Sequence, residues 1–407
     1  MATKISTCRV CPCKRFDQIL TMGKMGLTGH FPRPGEQIDE LEIDLVQCVE
    51  CGLVQLAHNY DLTILYGQNY GYRSGLNQQM VSHLKEIAEY CMAKVKLCPG
   101  DFIIDIGSND GTTLGFYPNN CRRVGIDPTA SKFRQFYPEG VEIVEQFFPF
   151  TSDVHFSNVK IVNSIACFYD LTDPVNFAKE VAKILSPNGI WILEMSYLPS
   201  MLHTKSYDTI CHEHLEYYDL KQIKSILGKA GFKIYEFSSN SANGGSMRVC
   251  AGLNAEETCL EIDEFIEAEQ AELSELLQKF PKVIRTHKEE LVSLLNSLFE
   301  SKMTVYIYGA STKGNVLLQY CGINAKQVKK VAEVNEDKFG CVTPITNIPI
   351  EDENIARAEN PDYFLVLPWH FREGILKKES KFLSEGGKFI FPLPRVEIVG
   401  FNGIIDL

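Results

Sequence analysis

Sorted into apolar and polar positions, the middle of the chain resolves into short apolar runs separated by turns and helical stretches. Residues 102–107, Phe-Ile-Ile-Asp-Ile-Gly, suit a parallel strand covered on both faces; Ser-Asn-Asp-Gly-Thr and a helical stretch follow. Arg123-Val-Gly-Ile-Asp127 predicts a second strand and Val159–Ala166 a third. A fourth, Gly189-Ile-Trp-Ile-Leu-Glu194-Met, comes after the turn Ser186-Pro-Asn. Strands alternating with helices imply right-handed crossovers and a doubly wound α/β sheet. Residues 256–300 are charged, helical in period and rich in Glu and Leu, which predicts one or two connecting helices. A second α/β unit opens at Val305-Tyr-Ile-Tyr308-Gly, and Lys338-Phe-Gly, Leu367-Pro-Trp369-His370 and Phe389-Ile-Phe read as loops at the strand ends of its sheet.

Composition narrows the class. With 407 residues, 45% of them hydrophobic, the chain can bury two or three cores. A net charge of -12 without basic clusters argues against a nucleic-acid partner, since phosphate binding needs grouped Lys and Arg. No signal-like segment or membrane-length apolar run is present, so the expectation is a cytoplasmic protein with no membrane partner, as a monomer or weak homodimer. In that compartment the 14 cysteines are expected as thiols or metal ligands.

Cys8-Arg-Val-Cys11 and Cys48-Val-Glu-Cys51-Gly are two CxxC knuckles, and together they can complete a four-thiolate zinc site. Closing the long loop between them costs little extra entropy, because closure grows only logarithmically with length. Cys13 is an alternative to Cys11. A closed thiolate site has no open position, so the zinc is expected to be structural.

The first strand and its glycine turn, Asp105-Ile-Gly107-Ser-Asn109-Asp110-Gly111, differ from the GxGxxG of a nicotinamide fold. The acidic start suits the amino-acid end of S-adenosylmethionine. Asp127, about twenty residues on, is placed to bind the ribose hydroxyls. Asn163, Cys167 and Glu194 then belong near the donor or the transferred methyl.

Tyr207-Asp-Thr-Ile-Cys211-His212-Glu213-His214-Leu-Glu-Tyr217-Tyr218 is the densest group of titratable side chains. Methylating a carbon requires a base to remove a proton beside a carbonyl, and His backed by Glu suits that task. His-x-His is also a metal-ligand spacing. In Tyr66-Gly-Gln-Asn-Tyr70-Gly-Tyr72, Tyr70 or Tyr72 can reach a sugar oxygen or cap a core. Gly309-Ala-Ser-Thr-Lys313-Gly-Asn can receive phosphate at a helix N-terminus or be a packing turn.

These features together resemble the bacterial sugar C-methyltransferases that act on nucleotide-linked 4-keto-6-deoxyhexoses. The resemblance spans nearly the whole chain. It rests on the paired CxxC with Cys51-Gly-Leu-Val-Gln-Leu, the Tyr-x-Tyr loop, Asp105-Ile-Gly-Ser-Asn-Asp-Gly-Thr, His212-Glu-His-Leu-Glu-Tyr-Tyr, Asn243-Gly-Gly-Ser-Met-Arg248, Tyr308-Gly-Ala-Ser-Thr-Lys-Gly-Asn and the stretch from Lys338 to Pro349. It implies a class I methyltransferase doubly wound sheet, a small N-terminal zinc-binding domain and a C-terminal Rossmann-like domain. The expected boundaries are 1–66 for zinc, 67–255 for the methyltransferase, 256–300 for the connector and 301–407 for nucleotide-sugar binding. It further implies His214 as base with Glu213 beside it, Tyr70, Tyr72 and Cys211 in the catalytic set, and substrate contacts from Lys313, Arg248, Tyr308, Cys167 and His370. Cys211 and Cys167 stand where family members often carry Tyr and His. The implied reaction is methylation of C-3 of a GDP- or dTDP-linked ketosugar through an enolate; sugar O-methylation is the closest rival. An RNA or protein methyltransferase, or a non-catalytic binding protein, is a more distant alternative.

Overall fold

The structure, a computed structural model, describes residues 2–67, 70–150, 155–254 and 259–405. The residues between the two CxxC knuckles, read from sequence as a loop, form a hairpin: β1 (Phe16–Gly26) pairs antiparallel with β2 (Glu40–Cys48), and β3 (Val54–Leu56) adds beside β2. Along β2, Ile43 and Leu45 are buried while Glu42 is exposed and Asp44 half-buried, the alternation of a strand covered on one face.

The central sheet contains β4 (Phe102–Ile106), β5 (Arg122–Ile126), β6 (Val141–Val144), β7 (Val159–Ile165) and β8 (Leu185–Ser196). After the short β9 (Glu216–Tyr217) come β10 (Lys233–Asn240) and β11 (Ser246–Gly252). The order is β10-β11-β8-β7-β4-β5-β6; the first five strands in chain order run parallel, and β11 is antiparallel to both its neighbours. Helix α1 (Gln78–Lys94) covers one face through Leu84, Ile87 and Cys91. Helices α2 (Pro174–Ile184) and α3 (Leu220–Lys229) cover the other through Phe177, Val181 and Ile223, capped by Asp173 and Asp219. The chain reverses direction across the sheet between β4 and β7, and the crevice above that switch point is where ligands bind in such folds.

One continuous helix, α4 (Cys259–Glu300), spans 42 residues and runs through Pro281 to the second α/β unit. There β12 (Val305–Tyr308), β13 (Val331–Glu333), β14 (Ile350–Asp352), β15 (Tyr363–Val366) and β16 (Lys388–Phe391) are parallel, with β17 (Glu397–Gly400) and β18 (Gly403–Ile405) antiparallel at one edge. Helix α5 (Thr312–Cys321) follows β12. No described helix is long and apolar enough to cross a membrane.

The domains are not separately cored. Met25, Ile43 and Leu45 of the N-terminal sheet share one buried cluster with Leu277 of α4, Leu317 of α5 and Val366 of β15. β9, in the middle of the chain, completes the N-terminal sheet as its fourth strand, Glu216 opposite Gln55 and Tyr217 opposite Val54. Arg9 fastens this junction. Its Nη1 donates to Gln55 Oε1 at 3.2 Å, to the Leu56 carbonyl at 2.8 Å and to the Leu215 carbonyl at 3.4 Å. Nη2 donates to the His58 carbonyl at 2.9 Å and Nε lies 3.6 Å from Glu216, with both side chains buried. Truncating one partner of a buried charge pair strands the other, so Arg9→Ala is expected to lower unfolding free energy by about 3–5 kcal/mol in urea titration. A loss under about 1 kcal/mol would show that the junction holds without the guanidinium.

A candidate active site where three domains meet

At the N-terminal end, one sulfur from each of Cys8, Cys11, Cys48 and Cys51 lies within 4.8 Å of the others, with Cys8–Cys51 at 3.6 Å and Cys11–Cys48 at 3.5 Å. Tetrahedral zinc with bonds near 2.3 Å separates its sulfurs by about 3.8 Å, so the donor set fits the ion. The four thiols cannot all ionise unaided: Cys51 beside it pulls Cys8 down to about 4, while Cys8 and burial drive Cys51 up. A divalent cation removes that conflict. Cys13, buried, bonds instead to its neighbour Arg15 and is outside the cluster.

Over the switch point of the central sheet, one cleft is lined by Asp105 from β4, the turn at Gly107–Asn109, and Asp127 beyond β5. Gly107 has φ +77°, and a Cβ there would meet Cys167 Cβ at 2.9 Å, so the turn and the close approach of the next loop both require glycine. Asp127 accepts from the Asn109 N–H at 2.8 Å and from Thr129 N–H at 2.7 Å and Oγ at 2.6 Å. Burial pushes Asp105 up to about 8, with Asp127 and Asp110 adding to the shift and Thr113 opposing it. A carboxyl held neutral by burial gains most from a cationic ligand. Asn109 and Asp110 are also turned toward the tyrosine loop: Asn109 Oδ1 accepts from the Ser74 N–H at 2.9 Å and Asp110 Oδ2 from the Gly75 N–H at 2.8 Å. Asp110 does not line the cleft.

Tyr66, Tyr70, Tyr72, Cys167, Tyr169 and Asp170 form the outer wall. Tyr66 OH donates to Asp170 Oδ2 at 2.5 Å, Asp170 Oδ1 has no partner, and burial raises this carboxyl well above the ordinary range. Asp170 was missed from sequence. Its position three residues after Cys167, in the 3-10 turn closing β7, was the available signal. Cys167 Sγ bonds the Ile106 carbonyl at 3.2 Å, and burial holds both Cys167 and Cys211 as neutral thiols.

His214 stands behind Tyr169, ring centroids 4.3 Å apart. Its Nδ1 lies 2.8 Å from the Thr209 carbonyl, a bond only an N–H can make, which leaves Nε2 as the basic nitrogen. Burial, with Lys313 adding, pushes its pKa down to about 3, so the ring is neutral at physiological pH. The expected Glu213–imidazole bond is not among the described contacts. Glu213 instead takes the Thr28 hydroxyl at 3.3 Å, and a Cβ on Gly29 would come within 2.6 Å of its Oε1 and 3.8 Å of Thr312 Oγ. Thr28 and Gly29 of the N-terminal segment therefore lie against Glu213, with Thr312 of the C-terminal unit on the other side of Gly29, and burial pushes the Glu213 carboxyl up.

From the C-terminal side, Lys313 Nζ donates to the Asn243 carbonyl at 2.6 Å, and Trp369 Nε1 donates to Asp208 Oδ2 at 2.8 Å. Lys313 and burial lower His370 to about 3, and its Nδ1 has no partner. Lys313 thus shares a field with His214, Asp208 and His370. Other sequence candidates lie elsewhere. Arg248 pairs with Glu194 at 2.8 Å and Glu86 at 3.1 Å, and Glu194, which reaches the cleft wall, is also bonded by His83 and Asn240. Asn163 is buried below the cleft against Tyr117 OH at 3.0 Å. Tyr308 OH donates to Glu379 at 2.9 Å, within a group of Arg357 and aromatic rings.

Three family models match in order along the chain: one described as "Putative zinc binding domain" over residues 8–66, a methyltransferase domain over 77–236, and a C-methyltransferase C-terminal domain over 241–394. The C-methyltransferase NovU of Streptomyces niveus is 27% identical over 412 residues, and the match covers 97% of each chain. Along most of its length the chain is therefore similar to C-methyltransferases. The matched methyltransferase domain implies S-adenosylmethionine as the methyl donor, and the four clustered cysteines of the matched zinc-binding segment would hold zinc. Among solved structures, one chain of the Haloferax volcanii complex between the Trm112 methyltransferase activator and a methyltransferase is 17% identical, covering 44% of this chain and 95% of that one with a TM-score of 0.37. A methyltransferase from Aquifex aeolicus is 16% identical, covering 42% and 97% with a TM-score of 0.33. At these scores the likeness says nothing about function.

Zinc and Arg9 would share one knuckle of this chain, so losing the metal should reach the strand that follows His214. Cys48→Ser is expected to empty the site by elemental analysis, lower the midpoint of thermal unfolding and reduce methyl transfer together. Full activity in a zinc-free protein would separate the two.

Proposed function

We propose that the chain methylates C-3 of a nucleotide-linked 4-keto-6-deoxyhexose, with His214 as the base. The observation that carries this reading is the buried imidazole of His214, whose Nδ1 is held by the Thr209 carbonyl at 2.8 Å so that Nε2 keeps its lone pair for a substrate proton. Nε2 of His214 takes the proton alpha to the ketone, the C–H electron pair passes into the enolate, and the carbon becomes a nucleophile facing the donor cleft. Asp170, kept as a neutral acid bonded by Tyr66, donates to the ketone oxygen as negative charge develops there, and Tyr70 and Tyr72 close the sugar's side of the wall. Lys313 and His370 face the phosphates, and the small-residue turn Gly309–Ser311 lets a diphosphate approach the backbone at the start of α5. S-adenosylmethionine, when bound, supplies an electrophilic methyl; Asp105 receives its ammonium group and Asp127 its ribose hydroxyls. Glu213 keeps the three domains in register around the imidazole.

Incubation with labelled donor and GDP- or dTDP-linked 4-keto-6-deoxysugars is expected to give a carbon-bound methyl by NMR. His214→Ala should lower kcat by about 10²–10⁴ while donor binding is retained, and should stop exchange of the C-3 proton in deuterated water. Methyl found only on oxygen would replace this reading with sugar O-methylation.

The pH dependence of donor binding follows from Asp105. Raised to about 8 in the folded protein from 3.8, it costs folding stability as pH rises between those values, because the unfolded chain gives up its proton first. A cationic donor reverses the shift. Binding at pH 7 should therefore release up to one proton per donor, with affinity rising toward pH 8 and levelling above it. Calorimetry in buffers of different ionisation enthalpy measures this, and Asp105→Asn should abolish the release.

A further inference from the structure

Strand β2 places Glu42 and Asp44 two residues apart, both directed away from the core that takes Ile43 and Leu45. The segment His58–Asn59 runs alongside, held by the Ala57 N–H on the Asp44 carbonyl at 2.9 Å. A carboxylate oxygen from each acid and a ring nitrogen of His58 all lie within 4.8 Å of one another. The His58 ring is buried, with 8% of the residue exposed, and its Nδ1 has neither a hydrogen-bond partner nor solvent contact. Burying an unpaired ring nitrogen costs free energy that no neighbouring group returns.

The carboxylates are also uncompensated. Asp44 Oδ1 accepts the Thr21 hydroxyl at 2.7 Å, and Tyr60 OH bonds only the backbone carbonyl of Glu42. Lys24 is the cross-strand neighbour of Glu42 and Lys4 that of His58, yet among the described residues neither makes an ion pair here. Two carboxylates and an imidazole with one unpartnered nitrogen lie around one gap, a grouping that a single cation relieves.

We propose that Glu42, Asp44 and His58 bind a divalent transition cation, separate from the four-cysteine site. One nitrogen and two carboxylate oxygens form a borderline donor set that favours zinc and its first-row neighbours over calcium or magnesium, with water completing the shell. Bonds near 2.1 Å bring ligand atoms to about 3.4 Å from each other, so a set already within 4.8 Å closes on an ion by small side-chain movements. Bound there, the ion would tie β2 to the His58–Asn59 segment, whose backbone Arg9 already holds through the His58 carbonyl.

Full-length protein with its cysteine site filled is titrated with Zn²⁺, and metal per chain is counted after dialysis at fixed free Zn²⁺. The expected count is two for the native protein and one for both His58→Gln and the double variant Glu42→Gln, Asp44→Asn. A count of one in the native protein, or of two in the double variant, overturns the proposal. The double variant alters one exposed and one half-buried side chain on the face of β2 turned away from the core, so it decides the matter if His58→Gln fails to fold. With Co²⁺, the second equivalent should add weak d–d absorption and no thiolate charge-transfer band. A second equivalent that does bring that band belongs to sulfur and overturns the assignment.

Discussion

Arg9 lies between two zinc ligands and is nearly sealed from water, its side chain only 2% exposed. A guanidinium has five N–H donors, and burying them is tolerable only if acceptors converge on the fork. Here the acceptors come from three places: the side chains of Gln55 and Asn59, the carbonyls of Leu56 and His58, and the carbonyl of Leu215, between His214 and β9. Glu216 is buried opposite, its carboxyl pushed up by burial and drawn back by Arg9. The metal fixes the knuckle, the knuckle fixes the guanidinium, and the guanidinium fixes the backbone from which the imidazole projects. A structural ion can thereby influence the imidazole proposed as base without touching it.

The same economy governs the site as a whole. The N-terminal sheet alone would leave Met25, Ile43 and Leu45 bare, and they are covered by α4, α5 and the C-terminal strands instead. Asn315 of α5 donates to the Thr28 carbonyl at 2.7 Å, next to the hydroxyl that holds Glu213. The groups proposed to react sit where three walls close, so their burial and their neutral state result from the assembly of domains rather than from any one of them.

What the sequence made readable follows from local constraints. Two CxxC knuckles can hardly be anything but a thiolate site, and an apolar run ending in Asp-x-Gly can be placed at the carboxyl edge of a buried parallel strand. Side-chain direction beyond a strand end has no such period. Asn109 and Asp110 reach back to residues 74 and 75, Arg248 is taken by Glu194, and Tyr308 turns to Glu379; each outcome depends on a partner distant in the chain. β9 is two residues long, too short for any alternation to mark it, yet it joins two domains. Asp170 was passed over because a carboxyl in a short turn looks solvated until the aromatic wall around it is known.

The shared core has a bearing on how the chain is made. Gly26 and Gln319 exchange two hydrogen bonds across a separation of 293 residues, and the apolar face of the first sheet finds its cover only in the last third of the polypeptide. During vectorial synthesis the cysteines can capture their ion early, but the hairpin between them must wait, half clothed, until most of the translation is over. Nascent chains of this protein should therefore depend on holding factors for longer than their size alone would suggest.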